Sequence, residues 1–321
     1  MPITRAMIGM AGLLFGAGVF AQSYPLRPIT ILNGFPPGGP TDIVVRQIGA
    51  KLSDRLGQPV IIENRAGATG TIAGAAVARA PADGYTLLFG VAANLAVAPA
   101  TMKTAPYDPA KAFAPIIEVA RGPYVWLVKP DVPARTMQEF VAWAKKSDGK
   151  VNYGSPGTGS LHHLAGEMLK QAAGIDMTHV PYKGGSTTYT GLLGGEIDAM
   201  FDSMPSPTPH LQAGKLRALA VTGPKRLASL PDVPTLSEAG LPGVDVHFWW
   251  GFVGPAGLPK HIVAKLNAEI ARALADPDMK ATFAKWDIEP TPGTPEAFGA
   301  YVSKEAARWR EFVANSKLTL D

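Results

Sequence analysis

Short runs of β-branched and apolar residues alternate along the chain with longer stretches in which apolar positions recur every three or four residues. A strand is expected over 29–35, then a helix over 41–56 with Ile43, Ile48, Leu52 and Leu56 on one side and Gly57 ending it. The next elements are a strand at 60–63, a small-residue helix at 70–80, a turn at Asp83-Gly84 and a strand at 85–90. Thr136, followed three residues later by Glu139, forms a capping box for a helix ending at Lys146. The pattern then repeats, with strands at 151–155, 177–182, 197–201 and 216–221 and helices at 160–173 and 185–193. A strand at 247–253 and helices at 259–274 and 295–315 complete it. This alternation predicts an α/β protein whose parallel sheets are covered by helices. No low-complexity linker divides the two sets of elements. Two lobes joined by two chain crossings, near Tyr124 and near Val244, account for that: residues 22–123 plus 245–321 in one lobe, 124–244 in the other.

Before these elements comes a different kind of segment. Arg5 supplies positive charge, Ala6 to Val19 is apolar, and Val19-Phe20-Ala21 is a small-residue cleavage site before Gln22. The apolar run is shorter than the roughly 20 residues that span a bilayer. Residues 1–21 therefore read as a secretory signal peptide, and the mature protein is expected outside the cytoplasm, in the periplasm. Cysteine is absent from the 321 residues, which excludes disulfides, thiolate metal sites, cysteine nucleophiles and a lipid-bearing cysteine at the junction. The net charge of +4, dispersed over 30 basic and 26 acidic residues, gives no footprint for nucleic acid.

Ligands of open α/β sheets bind beyond the carboxyl ends of the strands. Here the loops in question are rich in small residues: GFPPGGPTD (34–42), RAGATGTIAG (65–74), GVAANLA (90–96), YGSPGTGSLHH (153–163) and YKGGSTT (182–188). Small side chains let a ligand approach backbone N–H groups, and helix starts attract negative charge. An anion is the expected guest. The first loop comes close to a nucleotide-binding loop, with Gly34, Gly39 and Thr41 suitably spaced, but Pro40 stands where the lysine belongs. Loops 34–42 and 153–163 contain no Lys or Arg, and only Arg65 and Lys183 accompany the others. Phosphate burial usually recruits such groups. A carboxylate needs only backbone donors and the hydroxyls of Thr41, Thr69, Ser155, Thr158 or Ser160, so carboxylate is favoured over phosphate. The alternative is that the glycines serve only tight strand-to-helix turns.

Enzymatic chemistry is not evident. Neither Ser155 nor Ser160 sits in a G-x-S-x-G elbow. His162 and His163 are neighbours on a helix start, pointing about 100° apart, with no partner cluster for a metal. Asp202 ends a strand on the expected ligand side, and either bonds a donor there or caps the structure led by Ser203. Phe248, Trp249 and Trp250 lie in an alternating strand, and core packing is the default for them.

Four stretches, PITILNGFPPGGPTDIVVRQIGAKLSDRLGQPVIIENRAGATGTIA, YGSPGTGSLHHLAGEML, VPYKGGSTTYTGLLGGEIDAMFD and KLRALAVTGPKRLASLPDVPTLSEAGLPG, closely resemble the Bug family of periplasmic solute-binding proteins of tripartite tricarboxylate transporters. The resemblance covers essentially the whole mature chain. It implies two Rossmann-like lobes of the type II periplasmic binding class, a Venus flytrap that captures a small carboxylate (a di- or tricarboxylate, amino acid or aromatic acid). It also implies delivery to membrane permease subunits, with no enzymatic activity, no cofactor and no metal, by a protein expected to be monomeric. Carried onto this chain, the family's first-lobe pincer is Phe35, Pro37, Gly38, Gly39, Thr41 and Asp42 with Ala68, Thr69 and Gly70, helped by Ala92 and Asn94. The second lobe contributes Ser155, Thr158, Gly159, Ser160, His163, Tyr182, Lys183 and Asp202. Asn33-Gly34, the 184–187 stretch and the Phe248-Trp249-Trp250 run depart from the family pattern, which bears on ligand identity. A ligand-sensing receptor for a signalling partner, and an exported carboxylate-acting enzyme using His163 and Asp202, are the rival functions.

Overall fold

The computed structural model describes residues 24–102, 105–316 and 318, so the expected signal segment lies outside the described residues. In chain order the elements are β1 (Ile29–Asn33), α1 (Pro40–Leu56), β2 (Val60–Asn64), a short turn of helix at Ala68–Gly70, α2 (Thr71–Ala78), β3 (Thr86–Val91), a wide helical turn at Ala93–Val97, α3 (Ala98–Thr101), α4 (Pro109–Ala112) and β4 (Phe113–Pro123). Next come β5 (Val125–Val128), α5 (Met137–Lys146), β6 (Asn152–Ser155), α6 (Leu161–Ala173), β7 (Thr178–Pro181), α7 (Gly185–Gly194), β8 (Ala199–Asp202), α8 (Thr208–Gln212) and β9 (Arg217–Val221). The chain ends with β10 (His247–Pro255), α9 (Lys260–Ala275), α10 (Pro277–Lys285), β11 (Glu289–Pro290) and α11 (Pro295–Asn315).

Local chemistry explains the strand-to-helix units. Helix α1 starts with Pro40, whose missing N–H costs nothing in the first turn, and carries Asp42 there against the helix dipole. It ends at Gly57 in the left-handed region, φ 65°, after burying Val44, Val45, Ile48 and Leu52. Ser160 caps α6, its hydroxyl accepting the His163 N–H, and Gly174 closes that helix at φ 57°.

Two sheets result, ordered β11-β4-β10-β3-β1-β2 and β7-β6-β8-β5-β9. They are mixed rather than parallel throughout. In the first, β1 pairs parallel with β2 and β3, while β10 runs antiparallel to both β3 and β4, as β11 does to β4. In the second, β6 pairs parallel with β7 and β8, and β5 is antiparallel to β8 and β9. The inverted strands β5 and β10 are those entered directly after each passage between sheets. Only Tyr124 separates β4 from β5, so the chain enters the second sheet without room for a crossover helix.

Helices α9 and α11 pack on β4, with α9 also against α1, so the C-terminal elements return to the first sheet. Strand β5 is buried on both faces: Trp126 and Val128 join the main core, and Val125 and Leu127 join a second cluster with Tyr189, Leu192, Ile197 and Met200. Its VWLV run is continuously apolar for that reason.

Candidate functional site

The direction of the strands decides what meets between the sheets. The carboxyl ends of β1, β2 and β3 and those of β6, β7 and β8 bring their loops to a common cleft, and the inverted strands β5 and β10 begin there. Register makes this concrete, because Val125 pairs with Asp202 at the end of β8, and Trp250 pairs with Val91 at the end of β3. A partly enclosed cavity of about 50 Å³ results, room for a few water molecules at roughly 10–15 Å³ each. Phe35, Gly39, Pro40, Thr41, Val91, Ala92 and Ala93 line it from the first-sheet side with Phe248, Trp249 and Trp250. Tyr124, Pro156, Ser160, Leu161, His162, Gly185, Asp202 and Ser203 line it from the other. An outer hollow of about 360 Å³ adjoins it, sharing Phe35 and Pro156, and is lined also by Ala68, Thr69, Gly70, Thr158, Tyr182 and Lys183.

The two sides touch across the cleft. Thr69 Oγ1 donates to the Thr158 carbonyl at 3.0 Å. Gly184, at φ 144°, approaches Pro36 so closely that a Cβ there would lie 2.3 Å from Pro36 Cδ, and a Cβ on Gly185 would lie 3.3 Å from Pro40 Cδ. Small residues on these loops let backbone meet backbone.

The expected residues thus divide between the two spaces. Phe35, Gly39, Thr41, Ala92, Ser160 and Asp202 face the inner cavity, and Phe35, Ala68, Thr69, Gly70, Thr158, Tyr182 and Lys183 the outer hollow. Pro37, Gly38, Asp42, Asn94, Ser155, Gly159 and His163 line neither. Most of these form the supporting frame. The Asp42 carboxylate accepts the Gly38 N–H at 3.0 Å, Asn64 Nδ2 at 2.8 Å and Arg46 Nε at 3.0 Å. Burial pushes its pKa up, but Arg46, the Gly38 N–H and Asn64 outweigh that and hold it below the usual carboxylate value. Asn94 Oδ1 accepts the Val91 N–H at 2.9 Å, and Asn94 Nδ2 donates to the Gly70 carbonyl at 3.4 Å. Ser155 Oγ is 2.7 Å from His179 Nε2 and donates to the Gly157 carbonyl at 3.0 Å.

His163 stacks on His179 with ring centroids 3.9 Å apart, and its Nδ1 accepts the Gly159 N–H at 3.2 Å. The residue that meets Asp202 is His162, Nε2 to Oδ1 at 3.2 Å. The pairing of His163 with Asp202 considered for an enzyme is not formed. Asp202 Oδ1 also accepts the Ser203 N–H at 2.7 Å. Three polar atoms of the lining are buried without a partner: Asp202 Oδ2, His162 Nδ1 and Trp249 Nε1.

Tyr124, His162, Gly185 and the Phe248–Trp250 run were not placed at the site by sequence. Phe248 and Trp250 stack with centroids 4.4 Å apart on the cleft side, and Tyr124 lies 4.5 Å from the His162 ring. Trp249 packs edge-on against Phe298 and Tyr301, so the core role expected for the run holds for its middle residue. The available signal was the pair of crossings, since a strand entered from the other sheet starts where its neighbours end. Among the described residues no three acidic or imidazole side chains gather to hold a metal, and no helix is long and apolar enough to cross a membrane.

Comparison with known proteins agrees with this architecture. Residues 44–318 match the model of the tripartite tricarboxylate transporter family receptor. Protein BugT of Bordetella pertussis is 35% identical over 310 residues, 96% of this chain and 94% of its own length. The structure of R. palustris Rpa4515 with adipate is 35% identical with a TM-score of 0.88, covering 91% of this chain and 97% of that one. MatC from Rhodopseudomonas palustris with bound malate is 34% identical with a TM-score of 0.86, covering 90% and 100%. The structure of periplasmic binding protein BugD is 36% identical with a TM-score of 0.87, covering 91% of this chain and 98% of that one. With these matches and two α/β sheets facing one cleft, this chain belongs to the tripartite tricarboxylate transporter receptors, the periplasmic binding proteins of the Bug family.

Proposed function

We propose that this protein captures a small carboxylate in the cavity between its sheets and hands it to the membrane permease subunits of a tripartite tricarboxylate transporter. The observation that carries the proposal is the convergence of small-residue loops from both sheets on one cavity whose lining contains no Lys or Arg. Fixed backbone donors at the starts of α1, α6 and α7 suit an anion that needs no cationic partner. Relatives of about one-third identity hold adipate and malate, which are of that class.

In this proposal residues 22–123 with 245–321 form one lobe and 124–244 the other, turning about the two passages between sheets. Residues 1–21 direct export and are removed, and the mature protein works as a freely diffusing monomer in the periplasm. It acts as a receptor, not an enzyme: the His162 imidazole that meets Asp202 has no hydroxyl on its other nitrogen, the Ser203 hydroxyl reaches only Asp202 itself at 3.5 Å, and Ser155 and His179 lie behind the cavity wall.

Calorimetry on the exported protein, unfolded and refolded to strip carried-over ligand, tests this against aliphatic, amino-acid and aromatic carboxylates and inorganic phosphate. Saturable binding of a carboxylate that is recovered chemically unchanged is expected. Preference for phosphate, conversion of the bound acid, or silence from folded protein would overturn it.

A further inference from the structure

We propose that the cargo is a zwitterion, a small carboxylate bearing a primary or secondary ammonium group, and that Asp202 holds the ammonium among Tyr124, His162, Phe248 and Trp250. This rests on the carboxylate proposal above and adds what the other end of the ligand must be.

Asp202 is fully buried at the end of β8, yet one of its oxygens is unused. Oδ1 is occupied by the Ser203 N–H and by His162, while Oδ2 has no partner and the residue lines the cavity. A carboxylate accepts hydrogen bonds and donates none, so the free oxygen calls for a donor. Leaving such an oxygen dry is costly, which makes a ligand group the natural occupant. Within the protein the nearest alternative is Tyr189. Burial first, then the Asp202 charge and the hydroxyl's approach to that carboxylate as a donor, push its pKa well above the ordinary phenol value. That approach stops short of hydrogen-bond geometry, so the hydroxyl and Oδ2 both stay unpaired, and Tyr189 does not line the cavity.

Charge narrows the donor further. No Lys or Arg lines the cavity, so a second carboxylate on the ligand would meet a like charge with no cation to offset it. An ammonium group removes that conflict. A neutral hydroxyl would fill Oδ2 but leave the charge uncompensated, and a quaternary ammonium has no N–H to give. The aromatic neighbours agree. Tyr124 lies 5.9 Å from Phe248 and 4.5 Å from His162, and Phe248 stacks on Trp250, so these aromatic rings line the same cavity as the carboxylate. The faces of such rings attract cations. His162, giving its Nε2–H to the acceptor-only Asp202, has Nδ1 left as an acceptor for a second N–H when the ring is neutral.

Matched pairs differing in one ammonium group provide the test: aspartate against succinate, glutamate against glutarate, γ-aminobutyrate against butyrate, phenylalanine against phenylpropionate. Calorimetry on the stripped, exported protein near neutral pH should show, in at least one pair, the ammonium-bearing member binding roughly tenfold tighter or more. Asp202→Asn, its fold checked by circular dichroism and melting, should reduce that ratio to about threefold or less. Binding in which the plain acid equals or exceeds its partner in every pair overturns the zwitterion and leaves the carboxylate proposal standing. A folded Asp202→Asn protein that keeps the wild-type ratio also overturns it. Silence of all pairs counts against the carboxylate proposal itself. Should the variant fail to fold, the wild-type ratios alone decide.

Discussion

Asn94 ties two segments of the cleft wall, at Val91 and Gly70, to Tyr107 outside it. It takes the Val91 N–H and bonds the Gly70 carbonyl, and its own carbonyl accepts the Tyr107 hydroxyl at 2.7 Å. Asn94→Ala leaves a buried N–H without an acceptor, so urea unfolding should show a loss of about 1–3 kcal/mol, and ligand affinity should fall because Ala92 and Ala93 lose their anchor. Wild-type stability in that variant would mean the wall is held by other contacts. The stacked pair His163 and His179 carries a pH dependence. Burial lowers their pKa values to about 4 and about 3. Unfolded imidazoles protonate near 6.5, so below that pH the unfolded chain binds more protons than the folded one. Stability is therefore full above about 6.5 and falls on acidification toward each folded value, by up to about 1.4 kcal/mol per pH unit for each ring. Urea melts from about pH 7 to about pH 4.5 should show this slope, flattened in His163→Gln; equal slopes would remove His163 as a source. Sequence identified where polar residues gather but not which way they point. Asp42, Asn94, Ser155 and His163 lie at a strand end or in the first helical turn that follows one, and each is spent on bracing the protein, a distinction that depends on contacts with residues such as Asn64, Gly70 and His179, distant along the chain.

Elements with strong local signals were legible. The apolar spacing and end residues of α1, α6, α9 and α11 locate those helices to within a residue or so. Strands β4 and β5 left no comparable mark. In KAFAPIIEVARGPYVWLV only Gly122-Pro123 punctuates the change of sheet, and the two strands on either side of it are defined by pairing with different partners. The same non-local pairing inverts β5 and β10, so aromatic residues at their starts face the cleft, announced by the two crossings and by no local pattern. Turn β1–α1 and the 68–70 turn are likewise fitted to one another. A Cβ on Gly34 would lie 2.6 Å from Gly70 Cα, backbone against backbone, where no side chain can swing aside. Gly34→Ala should therefore cost about 1–3 kcal/mol of stability and weaken binding by separating the two turns. A melting temperature and affinity equal to wild type would show that the turns have slack.

The class of architecture followed from the alternation of elements and from the resemblance carried by the glycine-rich stretches, whereas the mixed strand directions needed the structure. Closure is the property that belongs to both sheets at once. The structure has the cleft nearly shut, with Thr69 bonded to Thr158 and the Gly184 backbone against Pro36; at the far side Asp287 accepts the Ala228 and Ser229 N–H groups. Gly184→Ala strains a φ of 144° and drives a Cβ into Pro36 from across the cleft. In the open form that the proposed turning of the lobes implies, the clash with Pro36 is relieved, so most of its cost falls on the closed form. Apparent affinity scales with the fraction of protein able to close, independent of what the ligand is. Gly184→Ala should therefore weaken every ligand by one common factor, roughly tenfold or more, and small-angle scattering should show less compaction on adding ligand. Asp202→Asn should do the reverse, changing the ratio between ligands while leaving compaction with a bound carboxylate intact. Ligand-dependent factors in the Gly184 variant would mean that this loop recognises part of the cargo itself and does more than limit closure.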